Sequence, residues 1–124
     1  ETVIAEKFPA MTVLGMANSR MKDFYDIWML ITNFEFDGMV IQTAIERTFE
    51  NRSTELPDEK HIIFSEEFAD NKKDQWNAFS RKLQDENTIV MDQIIASMRD
   101  FFFPVLHASE QGTVFKKKWK NKWR

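Results

Sequence analysis

A chain of 124 residues makes one domain and no more. It is 43% hydrophobic, with 12 Phe, 4 Trp and 7 Met, which is enough for a real core, yet no run approaches the ~20 apolar residues of a membrane span. The lack of Cys excludes disulfides, thiolate metal sites and cysteine nucleophiles, and the net charge of −3 divides unevenly: residues 116–124 hold six of the 17 basic residues and no acid, leaving 11 basic against 20 acidic elsewhere, or −9.

The acidic start lacks the basic segment of a secretory signal, which together with the missing Cys fits a cytoplasmic protein. The first residue is Glu inside a helical pattern, so the chain reads as the C-terminal part of a longer protein. Val3, Ile4, Phe8, Met11 and Leu14 recur at helical spacing and predict a helix to about residue 15, where Gly15 is a stop signal. Pro9 lies inside it and costs roughly 3 kcal/mol there, so either the helix kinks or two short helices meet. A second helix is expected from about Arg20 to Thr32, with Ser19 as its N-cap and Met21, Phe24, Tyr25, Trp28 and Ile31 as its stripe. Asp37 is expected to cap a third, Gly38 to Asn51. Residues 51–60 read as a loop, His61 to Phe64 as an extended segment or a buried turn, and Ser65 with Phe68 as a short turn of helix. A fourth long helix, about Lys72 to Gln84, points Trp76, Phe79 and Leu83 inward. A fifth starts at Asn87 or Thr88 and runs to about Phe103, where Pro104 ends or kinks it. The expected fold is all-α, a small bundle of about five helices over residues 1–112, followed by a basic aromatic tail, 113–124.

The ionisable residues with a pattern lie between Glu1 and Asp26. Lys7 sits in the first helix, and Arg20, Lys22, Asp23 and Asp26 open the second. A short connection favours antiparallel packing, which would line one groove with three cations and two anions, an arrangement suited to handling phosphate. Ala5-Glu6-Lys7-Phe8-Pro9-Ala10 resembles the third motif, and Lys22-Asp23-Phe24-Tyr25-Asp26 with Arg20 before it the fourth, of the AbiEii/AbiGii-type nucleotidyltransferase toxins. These are the toxin half of a bacterial abortive-infection toxin–antitoxin pair. The clear match runs from about Glu1 to Trp28, with Pro9 where the family pattern has a good helix former.

The resemblance implies the C-terminal helical domain of a larger α/β enzyme. Such enzymes move a nucleotide from a nucleoside triphosphate, with Mg2+, onto an acceptor, and some act on transfer RNA. It implies an antitoxin partner; that no membrane is expected follows separately from the lack of a long apolar run. By position, Lys7 would contact the triphosphate. Asp26, with Asp23 beside it, would orient or deprotonate the attacking hydroxyl, or hold Lys7 or Arg20; Arg20 and Lys22 would attract the polyanionic substrate. The family's first two motifs, a Gly-Ser turn and a strand with Asp-x-Asp carboxylates for the metal, do not occur in these residues. Most Mg2+ ligands are therefore expected outside them, and the fragment is expected to be inactive alone. The plainer alternatives are a surface Lys7 lying along an amphipathic helix and a solvated Lys22–Asp26 pair of roughly 0.3–0.5 kcal/mol. In that case the chain is a non-catalytic helical module that binds an antitoxin or RNA.

Other chemistry is sparse. His61 and His107 lack ligand-like neighbours, and the acid pairs Glu66-Glu67 and Asp85-Glu86 read as solvated faces. In the tail, Phe115, Trp119 and Trp123 recur every four residues among six cations. A transient helix would gather these aromatics on one side, suiting an arm that binds RNA phosphates and stacks on bases, or docking onto an acidic body.

Overall fold

The computed structural model describes residues 2–83 and 89–124. Among them, six α-helices surround one continuous hydrophobic core, and a two-stranded antiparallel ladder closes one side. The helices are α1 (Thr2–Leu14), α2 (Met21–Asn33), α3 (Gly38–Asn51), α4 (Glu66–Asn71), α5 (Lys73–Lys82) and α6 (Met91–Glu110); the strands are β1 (Phe36–Asp37) and β2 (Lys118–Trp119). The mostly helical class expected from periodicity is the one observed. No described helix is long and apolar enough to cross a membrane.

α1 runs unbroken through Pro9, so the alternative of two short helices does not apply. Its buried face is Ile4, Ala5, Phe8 and Met11, and Phe8 stacks on Phe102 of α6 with ring centroids 3.9 Å apart. Val3 and Leu14, predicted for that face, are exposed. Gly15 ends the helix at φ +50°, a left-handed conformation that glycine adopts without a Cβ penalty. A 3₁₀ turn, Gly15–Ala17, follows it.

The start of α2 differs from expectation. Ser19 does not cap it; the fully buried Asn18 accepts from the Arg20 N–H at 2.7 Å instead. Both residues carry a side-chain oxygen that can accept, a hydroxyl on Ser19 and an amide oxygen on Asn18, and the path of the connection turns Asn18 inward. Asp37 caps α3 as predicted, accepting from the N–H groups of Met39 at 2.9 Å and Val40 at 3.4 Å. His61 to Phe64 is a buried 3₁₀ turn, and Ser65 caps α4 through the Phe68 N–H at 3.0 Å. The predicted start of the last helix, Asn87 or Thr88, falls outside the described residues.

α6 does not stop at Pro104 but continues to Glu110. Val105, Leu106 and Ala108, in the turn beyond it, are buried. Burial of such side chains is worth about 1.5–3 kcal/mol for Val or Leu, which offsets the proline's cost of about 3 kcal/mol. The carbonyl of Phe101, one turn before Pro104, accepts from the Trp123 indole at 2.9 Å.

That bond comes from the tail, which is neither helical nor extended into solvent. β2 pairs with β1, Phe36 opposite Trp119 and Asp37 opposite Lys118. Trp119 is buried and donates from its indole to Ile31 O at 2.7 Å; Phe115 is buried too. Gln42 of α3 holds the segment through Thr113 O at 2.7 Å and Phe115 N at 2.8 Å. Gly38 makes room for it: a Cβ there would come within 2.6 Å of Lys117 O. The ion pairs Lys118–Asp37 and Lys120–Glu35 tie it to the acidic body.

Candidate functional site

Lys7 lies one turn from Ile4 and Met11, at the edge of the buried face of α1, so packing of that face carries its ammonium toward α2. On α2, Asp23 and Asp26 are separated by three residues and share a side of the helix. The two helices bring the groups together. Lys7 Nζ is 3.0 Å from Asp23 Oδ1 and 3.2 Å from Asp26 Oδ2. Arg20 Nε is 3.1 Å from the other oxygen of Asp23, and Lys22 Nζ is 2.7 Å from Asp26 Oδ2. All five residues expected from the sequence thus form one alternating network in which each carboxylate meets two cations.

Exposure divides their tasks. The Asp23 carboxylate is only 6% exposed, and burying a charge is costly unless it is paired; Lys7 and Arg20 supply that pairing. Asp26 is 25% exposed and Lys7 24%, so both are reachable from solvent while packed on one side. Lys22 and Arg20 reach into solvent. The hydrogen bond to Asp23 raises the Lys7 pKa above the ordinary lysine range against the opposing effect of burial, and Asp26 adds to the rise. Lys7 is therefore a permanent cation at neutral pH, not a base.

Beside the network, Ser19 to Asp23 at the start of α2 face Gln75, Ala78, Phe79 and Lys82 of α5 across an open groove of about 510 Å³. That volume is within the range of small-molecule sites. Its wall on α2 offers Arg20 and Lys22; its wall on α5 offers Lys82, an amide at Gln75 and the half-buried ring of Phe79. Lys82 and Gln75 were not singled out in the sequence. The only signal was a basic last turn of a helix, which by itself complements the helix dipole. Asn18 was missed as well; its Nδ2 is buried without a hydrogen-bond partner among the described residues.

The histidines are ordinary. His61 packs its ring nitrogens between Thr12 O at 3.0 Å and the Ile63 N–H at 3.2 Å, so both are taken up by backbone groups. His107 is exposed. Among the described residues, no three His, Asp or Glu side chains lie close enough to hold a metal.

A model of the nucleotidyl transferase AbiEii toxin family, Type IV TA system, matches residues 1–102, which contain the whole network and the groove. No curated protein and no solved structure matches the chain. With residues 1–102 of its 124 matched to that family, the chain belongs to the AbiEii nucleotidyl transferase toxins.

Proposed function

We propose that the chain is the helical part of a nucleotidyltransferase toxin that moves a nucleotide from a nucleoside triphosphate onto a hydroxyl of an RNA acceptor, transfer RNA being the first candidate. The observation that carries this reading is the placement of Lys7 between two carboxylates beside a groove rimmed by Arg20, Lys22 and Lys82. In such a reaction the acceptor oxygen bonds to the α-phosphorus. The bond to the bridging oxygen breaks, pyrophosphate leaves, and the hydroxyl proton passes to a base. Lys7 stabilises charge on the phosphates, a role that needs a fixed cation in a partly dry site. Asp26, the more exposed carboxylate, orients the hydroxyl or takes its proton. Asp23 holds Lys7 and Arg20, and Arg20 and Lys22 draw in the polyanion.

The family implies Mg2+, but the carboxylates present do not fit it. Each already meets two cations within 3.2 Å, and no third carboxylate joins them among the described residues. No step is therefore assigned to a metal on these residues. The Asp-x-Asp carboxylates that would hold it, with the Gly-Ser turn before them, are expected elsewhere in a longer cytoplasmic protein. Residues 1–124 alone are then inactive, and an antitoxin is the protein partner.

The test is incorporation of labelled nucleotide into RNA by the full-length protein. Lys7→Ala and Asp26→Asn should each lower the rate by about 10²–10³. Unchanged activity in either folded variant removes that residue from the site. A second reading, a helical module that binds antitoxin or RNA without chemistry, draws on the closed charge pairing of the network. It predicts that neither substitution alters incorporation.

A further inference from the structure

We propose that residues 118–124 form a β-hairpin that uses its tryptophans as anchors and presents the tail's cations to the phosphate backbone of RNA. The choice of RNA rests on the acceptor proposed above. The tail lies beyond the residues matched by the family model.

The hairpin follows from its hydrogen bonds. Lys118 and Arg124 exchange both backbone bonds, Lys118 N to Arg124 O at 3.4 Å and Arg124 N to Lys118 O at 3.0 Å, and Lys120 N donates to Lys122 O at 3.0 Å. Trp119 pairs with Trp123 across it. Asn121 turns the chain at φ +65°, a conformation asparagine tolerates better than most residues. Opposed residues of an antiparallel pair share a face, and successive residues alternate. Trp119 and Trp123 therefore occupy one face, and Lys118, Lys120, Lys122 and Arg124 the other. The first face is held by the core: Trp119 reaches Ile31 O, Trp123 reaches Phe101 O, and both rings pack within 5.2 Å of Phe101. The second face is in water, with Lys116 and Lys117 exposed just before it.

Lys118 and Lys120 are paired with Asp37 and Glu35. Lys116, Lys117, Lys122 and Arg124 have no ion pair among the described residues, and their segment contains no acid. The chemistry of this face selects its partner. Protein interfaces are depleted of Lys and centre on Tyr, Trp or Arg anchors, whereas here the tryptophans point inward and five of the six cations are Lys. Membrane-surface segments insert aromatic or aliphatic side chains, and these tryptophans are committed to the core. Nucleic-acid interfaces are strongly positive and gain affinity by releasing counterions from phosphates. With the rings inside, the surface grips phosphates and does not stack on bases.

The test uses a fluorescently labelled RNA stem–loop without nucleotide, titrated from low to high salt. The variant K116Q/K117Q/K122Q/R124Q should bind more weakly, with a log–log salt slope smaller in magnitude by about 3, as expected for four lost phosphate contacts. Its melting temperature should be unchanged. K116R/K117R/K122R should keep both affinity and slope, which separates loss of charge from loss of fold. Equal affinity and slope for the glutamine variant and wild type would overturn the proposal. So would a variant that loses binding to polyglutamate, or to phosphatidylserine–phosphatidylcholine vesicles, while binding RNA unchanged. Because no nucleotide is transferred in this assay, its outcome is independent of the Lys7 and Asp26 test.

Discussion

Lys7 is stabilised by its neighbours as much as it serves them. Removing its amine in Lys7→Ala leaves the nearly buried Asp23 with Arg20 alone, and a weakened charged hydrogen bond of this kind costs about 1–3 kcal/mol. Thermal unfolding should therefore show a lower midpoint for Lys7→Ala, and a smaller drop for Lys22→Ala, whose pair with Asp26 is largely in water. A pH effect follows from the same contacts. The Lys7 pKa is raised in the folded state by Asp23, so its contribution is complete below the ordinary lysine value and is lost as pH rises through the raised one. Wild type should lose stability relative to Lys7→Met only on that alkaline limb. Parallel curves through it would show that the ammonium contributes nothing to folding.

Among the elements, the tail and the start of α3 depend on each other. Gly38 N donates to Lys117 O at 2.8 Å, and a Cβ at Gly38 would meet that oxygen at 2.6 Å and the Phe115 ring at 2.6 Å. Gly38→Ala should push the tail off α3, although alanine is otherwise the better helix former by about 1 kcal/mol. Faster cleavage after the tail's lysines by trypsin is the measurement, and wild-type rates would refute it. Asp37 adds a charge to this joint. Its hydrogen bond to Lys118 holds its carboxyl below the ordinary carboxylate range, so its contribution is present above that range and fades as pH falls through the lowered value. Tryptophan fluorescence followed into acid should report earlier release of Trp119 in wild type than the curve for Asp37→Asn, normalised to neutral pH, and high salt should shrink the difference.

For the molecule as a whole, one aromatic core joins elements far apart in sequence. Phe8, Phe49, Phe64 and Phe102 come from α1, α3, the 3₁₀ turn and α6, with Phe8 touching the other three rings. Phe8→Ala should cost about 3–5 kcal/mol, because it opens a cavity that four elements would have to close. Denaturant unfolding measures it. A loss below 1 kcal/mol would mean that the core is more loosely packed than these ring contacts require. Phe8→Leu keeps an apolar side chain at this position and should cost less than Phe8→Ala in the same measurement.

Local pattern determined much of this protein. Apolar residues at helical spacing located α1, α2 and α3, because a stripe of that period can be buried only by a helix; Asp37 marked a cap because its side chain answers nearby N–H groups, and Ser65 with Phe68 marked a short turn of helix. Lys7, Arg20, Lys22, Asp23 and Asp26 were legible as candidates because two short motifs carry them. Long-range packing decided the rest. Pro104 read as an end or a kink of the helix, and burial of Val105 and Leu106 carries α6 past it. The four-residue spacing of Phe115, Trp119 and Trp123 fitted a helix, yet Trp119 and Trp123 are also four apart across a hairpin, and long-range partners, among them the carbonyls of Ile31 and Phe101 and the pairing with β1, select the hairpin. Lys82 joined the groove because α5 folds back beside α2, a proximity that no spacing along the chain encodes.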